Sequence, residues 1–407
     1  MAERQLSILV ALHSGSLSGV DTYAEQLAAA GLAASHKVTL VAVGEDLAAE
    51  VRDRLGNDEV RVIASSPLSR SAWRGATRQV PTFALMEMEA QLGKCLNGLG
   101  ERFDVAHLNH PALASASRPY SDRVVVGAWF YPHHAGERMV QTWLHTGAVF
   151  PKSAGFAIKG LSHYWNDRRG YRSSDCVVAP TELLAAQLSG MGLPAVACPL
   201  PARRPQTAGG AYENGPVAAN ARRRVAICCG DLSHPRKNVG AGIRAIGFAA
   251  RDGMTIDLEL IGHKAEFLVA ELHALPQSVH VFTPGPLPRD QVDDRLRRAD
   301  VLLVPSLYEE WGYVATEAVL AGTPVVAFPV YPFVEILPPP LGLCADDMSF
   351  EALARALEQV LDHCADRSFV AKAAERAFGA EAVGSRLTKI WSGVGVEAGR
   401  ASMARAK

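Results

Sequence analysis

Two carboxylates, Glu309 and Glu317, bracket Trp311-Gly312 in the segment Ala299 to Phe328. Ahead of them an apolar strand, 300–304, ends at Pro305; behind them a helix reads from near Gly312 to Ala321-Gly322, and a new strand starts at Pro324. A helix N-terminus offers backbone N–H groups outside the intrahelical ladder and the positive end of the dipole. Gly312, Tyr313 and Val314 therefore make a site for an anion, and Gly312 lets a phosphate approach the backbone closely. Glu317, one turn in, tilts back toward that N-terminus and can accept from hydroxyls beside the phosphate. Glu309 sits before the helix, in the mouth of the crevice. One phosphate cradle between two carboxylates suits a sugar, a diphosphate and a ribose in line. Singly, each glutamate reads as a solvated or dipole-stabilising side chain; the whole constellation is what points to a ligand.

A second segment runs Cys229-Gly230-Asp231-Leu232-Ser233-His234-Pro235-Arg236-Lys237-Asn238. A strand (224–229) enters a polar loop, and a helix is expected from about Asn238, which puts Arg236 and Lys237 at the carboxyl edge of a sheet. A cation at a helix start opposes the dipole, so an external partner is expected, a diphosphate with Lys237 as a point charge. His133 and His134 follow a strand at 123–128, and at most one of the two faces a substrate. No Asp-x-Asp occurs, and no carboxylate or cysteine stands at ligand spacing from these histidines, so no metal is expected.

The elements that hold these residues alternate. Short β-branched runs (6–12, 37–43, 60–63, 104–108, 123–128, 175–179, 195–198, then 224–229, 257–261, 279–282, 300–304, 324–328, 341–344) are separated by Ala/Leu-rich helical segments (20–31, 80–98, 181–190, 238–251, 264–274, 289–298, 313–321, 349–363). That is how parallel sheets with crossover helices read. With 407 residues, two or three domains are expected. The expectation is α/β: two doubly wound Rossmann-like domains, 1–202 and 224–380, a linker over 203–223, and a C-terminal helix and tail over 381–407, the last amphipathic helix reading from Phe378 to Trp391. The cleft between two such domains is the default site. From His133 to Arg172 the pattern lapses into aromatic, His and basic residues; the basic excess there fits an anionic acceptor, a membrane surface or a solvated helical excursion alike.

Composition narrows the classes. At 48% hydrophobic and 20% charged the chain is neither disordered nor collagen-like. Lys plus Arg (41) against Asp plus Glu (42) gives net −1, without the basic excess of a nucleic-acid binder. Seven cysteines, with no CxxC, argue against a disulfide framework or zinc site and for a reducing compartment. No run of 18 apolar residues suggests a membrane span, and the first apolar run reads as a strand and not a signal peptide. A cytoplasmic protein is expected. Arg far outnumbers Lys and Ala is abundant, as in a GC-rich bacterial genome.

Glu309-x7-Glu317 with Trp-Gly between, then Glu-Ala-Val-Leu-Ala-Gly-Thr-Pro-Val-Val, resembles the signature of family 4 of the retaining glycosyltransferases, of GT-B fold. So does the Gly230-to-Lys237 loop, and the resemblance extends over nearly all of 224–363. In the first domain Ser18-Gly19-Val20 resembles the family's Gly-Gly loop over the donor phosphates. Asp104-Val-Ala-His107-Leu-Asn109-His110 resembles its Asp-Val-x-His-x-His strand end, whose second His contacts the donor sugar. The resemblance implies transfer from a nucleotide-diphosphate sugar to a hydroxyl or thiol of a small-molecule acceptor, without a metal or other cofactor. Lys237, aided by Arg236, would neutralise the leaving diphosphate, which itself takes the acceptor's proton. Glu309 would hold the sugar's hydroxyls and Glu317 the ribose. The amides of 312–314 would meet sugar and phosphate, and backbone around Thr283 to Leu287 the base. Asn109, His110 and His133 would lie on the acceptor side. Asp231 stands where the family usually has Arg, Asn109 where it has His, and Ser18 where it has Gly. The alternatives are a GT-B phosphorylase or epimerase, and a catalytically degenerate nucleotide- or partner-binding homologue.

Overall fold

The computed structural model describes residues 4–11, 19–56, 58–66, 81–128, 169–205, 222–250, 254–363 and 366–393. The chain divides into two units, 1–201 with 380–407, and 202–379.

Unit 1 contains β1 (Ser7–Ala11), β2 (Lys37–Val43), β3 (Arg61–Ser65), β4 (Phe103–Leu108), β5 (Ser121–Gly127), β6 (Cys176–Ala179) and β7 (Ala195–Ala197), in the order β3-β2-β1-β4-β5-β6-β7. Unit 2 contains β8 (Arg223–Asp231), β9 (Ile256–His263), β10 (Val279–Gly285), β11 (Val301–Val304), β12 (Val325–Ala327) and β13 (Gly342–Cys344), in the order β10-β9-β8-β11-β12-β13. Neighbouring strands are parallel in both sheets. The central strands are apolar along their length because helices cover both faces: Val301, Leu302 and Leu303 are at most 1% exposed. In unit 2, Leu258, Leu260, Val301 and Leu303 pack with Ile243, Ile246, Leu353 and Leu357 of the flanking helices. Each sheet reverses its strand order once, at β1/β4 and at β8/β11. At such a switch point a crevice opens outside the carboxyl ends of the strands. This is the doubly wound α/β architecture expected.

The last helix, Ala380–Trp391, belongs to unit 1, although all of unit 2 precedes it. Gly384 gives it close approach: a Cβ there would lie 2.3 Å from the Ala30 carbonyl oxygen in the helix Gly19–Ala33. Two buried histidines hold it. His36 Nδ1 accepts from Leu6 N (3.2 Å), and its Nε2 lies 2.7 Å from Thr388 Oγ1. Trp391 Nε1 donates to His107 Nδ1 at 3.0 Å, while Tyr23 Oη lies 2.8 Å from His107 Nε2. Burial pushes the His107 imidazole down to about 3.

Several boundaries differ from expectation. Phe378 ends the helix Arg367–Phe378, and the last helix starts only after Gly379. The single helix expected over 264–274 is a 3-10 turn, Ala265–Leu268, followed by Val269–His273. A helix Glu45–Leu55 was not anticipated; only Leu47, Ala48 and Val51 of it are buried, too narrow a stripe to announce itself. Residues 203–205, expected to open an exposed linker, lie within unit 2, as does Ala202, expected to end the first domain. Ala202 N donates to Phe378 O at 3.0 Å, and Arg203 Nη2 lies 2.5 Å from both oxygens of buried Asp293. Of the expected linker 203–223, residues 206–221 lie outside the described residues, as do Ser18, His133 and most of the 133–172 stretch.

Candidate functional site

The loops after β8 and β11 meet at the unit 2 switch point. Beyond β8 comes a 3-10 turn, Pro235–Lys237, capped by His234, whose Nδ1 accepts from Arg236 N at 3.2 Å. Asn238 then adopts a left-handed φ of 50°, and the helix Val239–Ala249 begins after it. Arg236 and Lys237 are thus carried on the 3-10 turn, one residue short of the α-helix. The two loops are stitched by Leu307 N donating to Arg236 O at 2.8 Å.

Glu309 is the centre of the arrangement and only 6% exposed. Lys237 Nζ donates to its Oε1 at 2.5 Å, Ser306 Oγ to the same oxygen at 2.8 Å, and Arg236 Nη1 to Oε2 at 3.0 Å. The Arg236 guanidinium also lies 5.4 Å from the Tyr308 ring centroid and 3.6 Å from Glu310 Oε2. Burial raises the Glu309 carboxyl, but the charges of Lys237 and Arg236, with hydrogen bonds from Lys237 and Ser306, outweigh it and hold the group below the usual carboxylate range. The two cations, expected to look outside the chain for a partner, therefore have one within it. The expectation assumed an α-helix start, where the dipole opposes a cation; the 3-10 turn and a carboxylate from the neighbouring loop remove that conflict.

Gly312 is required twice over. Its φ of 85° lies in the left-handed region, and a Cβ there would stand 2.7 and 2.9 Å from Phe333 ring carbons. The helix Tyr313–Leu320 starts next, and its ladder opens with Ala315 N and Thr316 N donating to Gly312 O at 2.9 and 3.3 Å. The amides of Tyr313 and Val314 precede that ladder. Glu317, one turn in, is 1% exposed and forms an ion pair with Arg289, the first residue of the helix Arg289–Arg298.

Asp231, where a cation was the usual pattern, has its charge matched locally. Its Oδ2 accepts from Lys264 Nζ at 2.5 Å, and its Oδ1 from Ser233 N and Oγ at 3.0 and 2.7 Å. The Lys264 and Ser233 hydrogen bonds bring its carboxyl down to about 2. The neighbouring thiols are poor nucleophiles: burial pushes Cys228 up to about 12 and Cys229 to about 11. β10 carries a register shift between Phe282 and Gly285; Thr283 in it is exposed and Leu287 beyond it half-buried.

In unit 1, Gly19 opens the helix Gly19–Ala33. Asn109, expected on the acceptor side, is 0% exposed. His110 is half-buried, and its Nδ1 accepts from Ala112 N at 3.1 Å as the cap of the turn Pro111–Leu113. Among the described residues no group of three or more His, Cys, Asp or Glu is placed to hold a metal ion, and no helix is long and apolar enough to cross a membrane. Sequence reasoning missed Ser306, Tyr308, Lys264 and Arg289. Ser306 and Tyr308 border Glu309 in sequence and could have been found; Lys264 and Arg289 reach their partners across 33 and 28 positions, with no local signal.

Residues 215–377 match the family model for glycosyl transferases group 1, and residues 18–202 that for the glycosyl transferase 4-like domain. A 2-deoxystreptamine glucosyltransferase of Streptomyces kanamyceticus is 34% identical over 138 residues, 33% of this chain and 35% of that protein. An uncharacterized glycosyltransferase of Methanocaldococcus jannaschii is 32% identical over 88 residues, 21% of this chain and 23% of that protein. The aligned parts thus span only 35% and 23% of these curated relatives. Sucrose-phosphate synthase from Thermosynechococcus elongatus superposes with a TM-score of 0.67 at 18% identity, covering 96% of this chain and 99% of that one. WaaG, a glycosyltransferase of lipopolysaccharide biosynthesis, gives 0.60 at 16% identity, with 95% and 100% covered. The catalytic domain of Arabidopsis thaliana starch synthase IV, bound to ADP and acarbose, gives 0.65 at 13%, with 97% and 100% covered. At these identities the likeness is one of fold.

Proposed function

The chain belongs to the GT-B glycosyltransferases of the family 4 type, and from that premise we propose that it moves a sugar from a nucleoside-diphosphate sugar to a hydroxyl of a small polar acceptor, with retention of configuration. The observation that carries this reading is the Lys237–Glu309–Arg236 cluster beside the helix N-terminus at Gly312. Lys237 and Arg236 would turn to the leaving diphosphate as charge gathers on it, assisted by the amides at 312–314. Glu309, released from the cations, would accept from the hydroxyls of the transferred sugar, while Glu317 accepts from the ribose. The bond from the anomeric carbon to the phosphate oxygen breaks as the acceptor oxygen attacks the same face. The acceptor's proton goes to the departing phosphate, so neither a protein base nor a divalent metal is called upon. Backbone around Thr283 to Leu287 would meet the base, and His110 would lie on the acceptor side. The acceptor named for the Streptomyces relative, 2-deoxystreptamine, supports a small-molecule acceptor here.

Thermal unfolding with UDP, GDP, ADP, CDP and dTDP tests the reading. A diphosphate at a hundred times its dissociation constant adds about 2.7 kcal/mol, and one of the five is expected to raise Tm. Lys237→Ala should abolish that rise and lower turnover with the matching sugar donor by about 10²–10³-fold. No stabilisation by any of them, or full turnover in Lys237→Ala, overturns the assignment.

A further inference from the structure

Glu317 is buried, and the cation that meets it comes from another element. Arg289 Nη2 pairs with Glu317 Oε1; the arginine side chain is 51% exposed and the glutamate 2%. The arginine meets this one with an opposite charge, and the carboxylate lies near the N-terminus of Tyr313–Leu320, the positive end of the helix dipole. Holding the two helices together is one account of the pair. Its position supplies a better one. Arg289 directly follows the segment 283–288 at the end of β10, and the helix it opens packs beside Tyr313–Leu320. The guanidinium therefore fastens the segment assigned to the base to the carboxylate assigned to the ribose.

We propose that Arg289 is a positioning residue for the donor's ribose. By occupying Oε1 it holds Glu317 in one rotamer, with Oε2 directed to accept from the 2′-hydroxyl, and so it sets a preference for ribo- over 2′-deoxyribonucleoside diphosphates. The inference rests on the donor reading above, which supplies the ribose.

Isothermal titration with UDP and 2′-deoxy-UDP, and with the same pairs of GDP, ADP, CDP and ribothymidine diphosphate (dTDP being its deoxy form), separates the two ideas. In the wild type, the favoured diphosphate should bind about 10- to 100-fold more tightly than its deoxy form, as expected for one hydroxyl donating to a charged acceptor. Arg289→Ala should bring that ratio to within about threefold, by weakening the ribo form and leaving the deoxy form nearly unchanged. Arg289→Lys, which keeps the charge, should restore a measurable part of the preference. A ratio unchanged in Arg289→Ala, or both forms weakened equally, overturns the inference and leaves the donor reading standing. A wild type that binds none of the diphosphates overturns both.

Discussion

At the scale of single residues, Glu309 carries an unusual load: buried, yet held by three donors and ionised because two of them are cations. Its carboxyl lies below the usual range in the folded chain, whereas the unfolded value is about 4.3. Stability from such a group is fully present above the unfolded value and is lost as pH falls through the folded one. Glu309→Gln should therefore melt below the wild type at pH 7, since Lys237 and Arg236 would face a neutral amide. That gap should close as the buffer is taken toward pH 3. Melting curves followed by circular dichroism between pH 7 and 3 check this; a gap that stays constant would show that charge is not what Glu309 supplies.

At the scale of elements, the turn from β11 into Tyr313–Leu320 is the piece on which most depends. Gly312→Ala adds a left-handed φ to a collision with Phe333, and should lower stability by about 1–3 kcal/mol in urea titration. A variant as stable as the wild type would mean that Phe333 yields and the turn is softer than its geometry implies. This element was legible beforehand. Val301 to Val304 reads as a buried strand, Gly312 and Gly322 punctuate the helix, and both glutamates fall where the periodicity puts them. The 3-10 turn Pro235–Lys237 was not, because a left-handed Asn238 leaves no mark in a sequence and shifts the helix start by only a residue. Nor was the partner of Asp231, because Lys264 comes from the far end of β9 and the pairing depends on strand order. The switch-point order follows from alternating strands and helices only as a class, so the loops that converge are foreseeable while the side chains bridging them are not.

At the scale of the whole molecule, unit 1 is closed by residues that lie beyond unit 2 in the chain. Trp391 is the principal fastening, its indole N–H satisfying the buried His107 Nδ1. Trp391→Phe keeps the ring and removes the donor, which should cost about 1–3 kcal/mol in chemical denaturation. Loss of diphosphate binding in that variant is not expected, since the donor residues proposed above lie on unit 2; an unchanged denaturation midpoint would show that His107 finds another donor. The return of the chain also bears on how the protein is made. A ribosome adds about 5–20 residues per second, so the stretch 202–379 separates the emergence of β7 from that of Ala380–Trp391 by about 10–35 s. Throughout that interval the nascent first unit presents the helix carrying Ala30, together with His36 and His107, as an uncovered face. The unit synthesised second has all its strands before the unit begun first is complete, and cellular factors that bind emerging chains have their widest opening there.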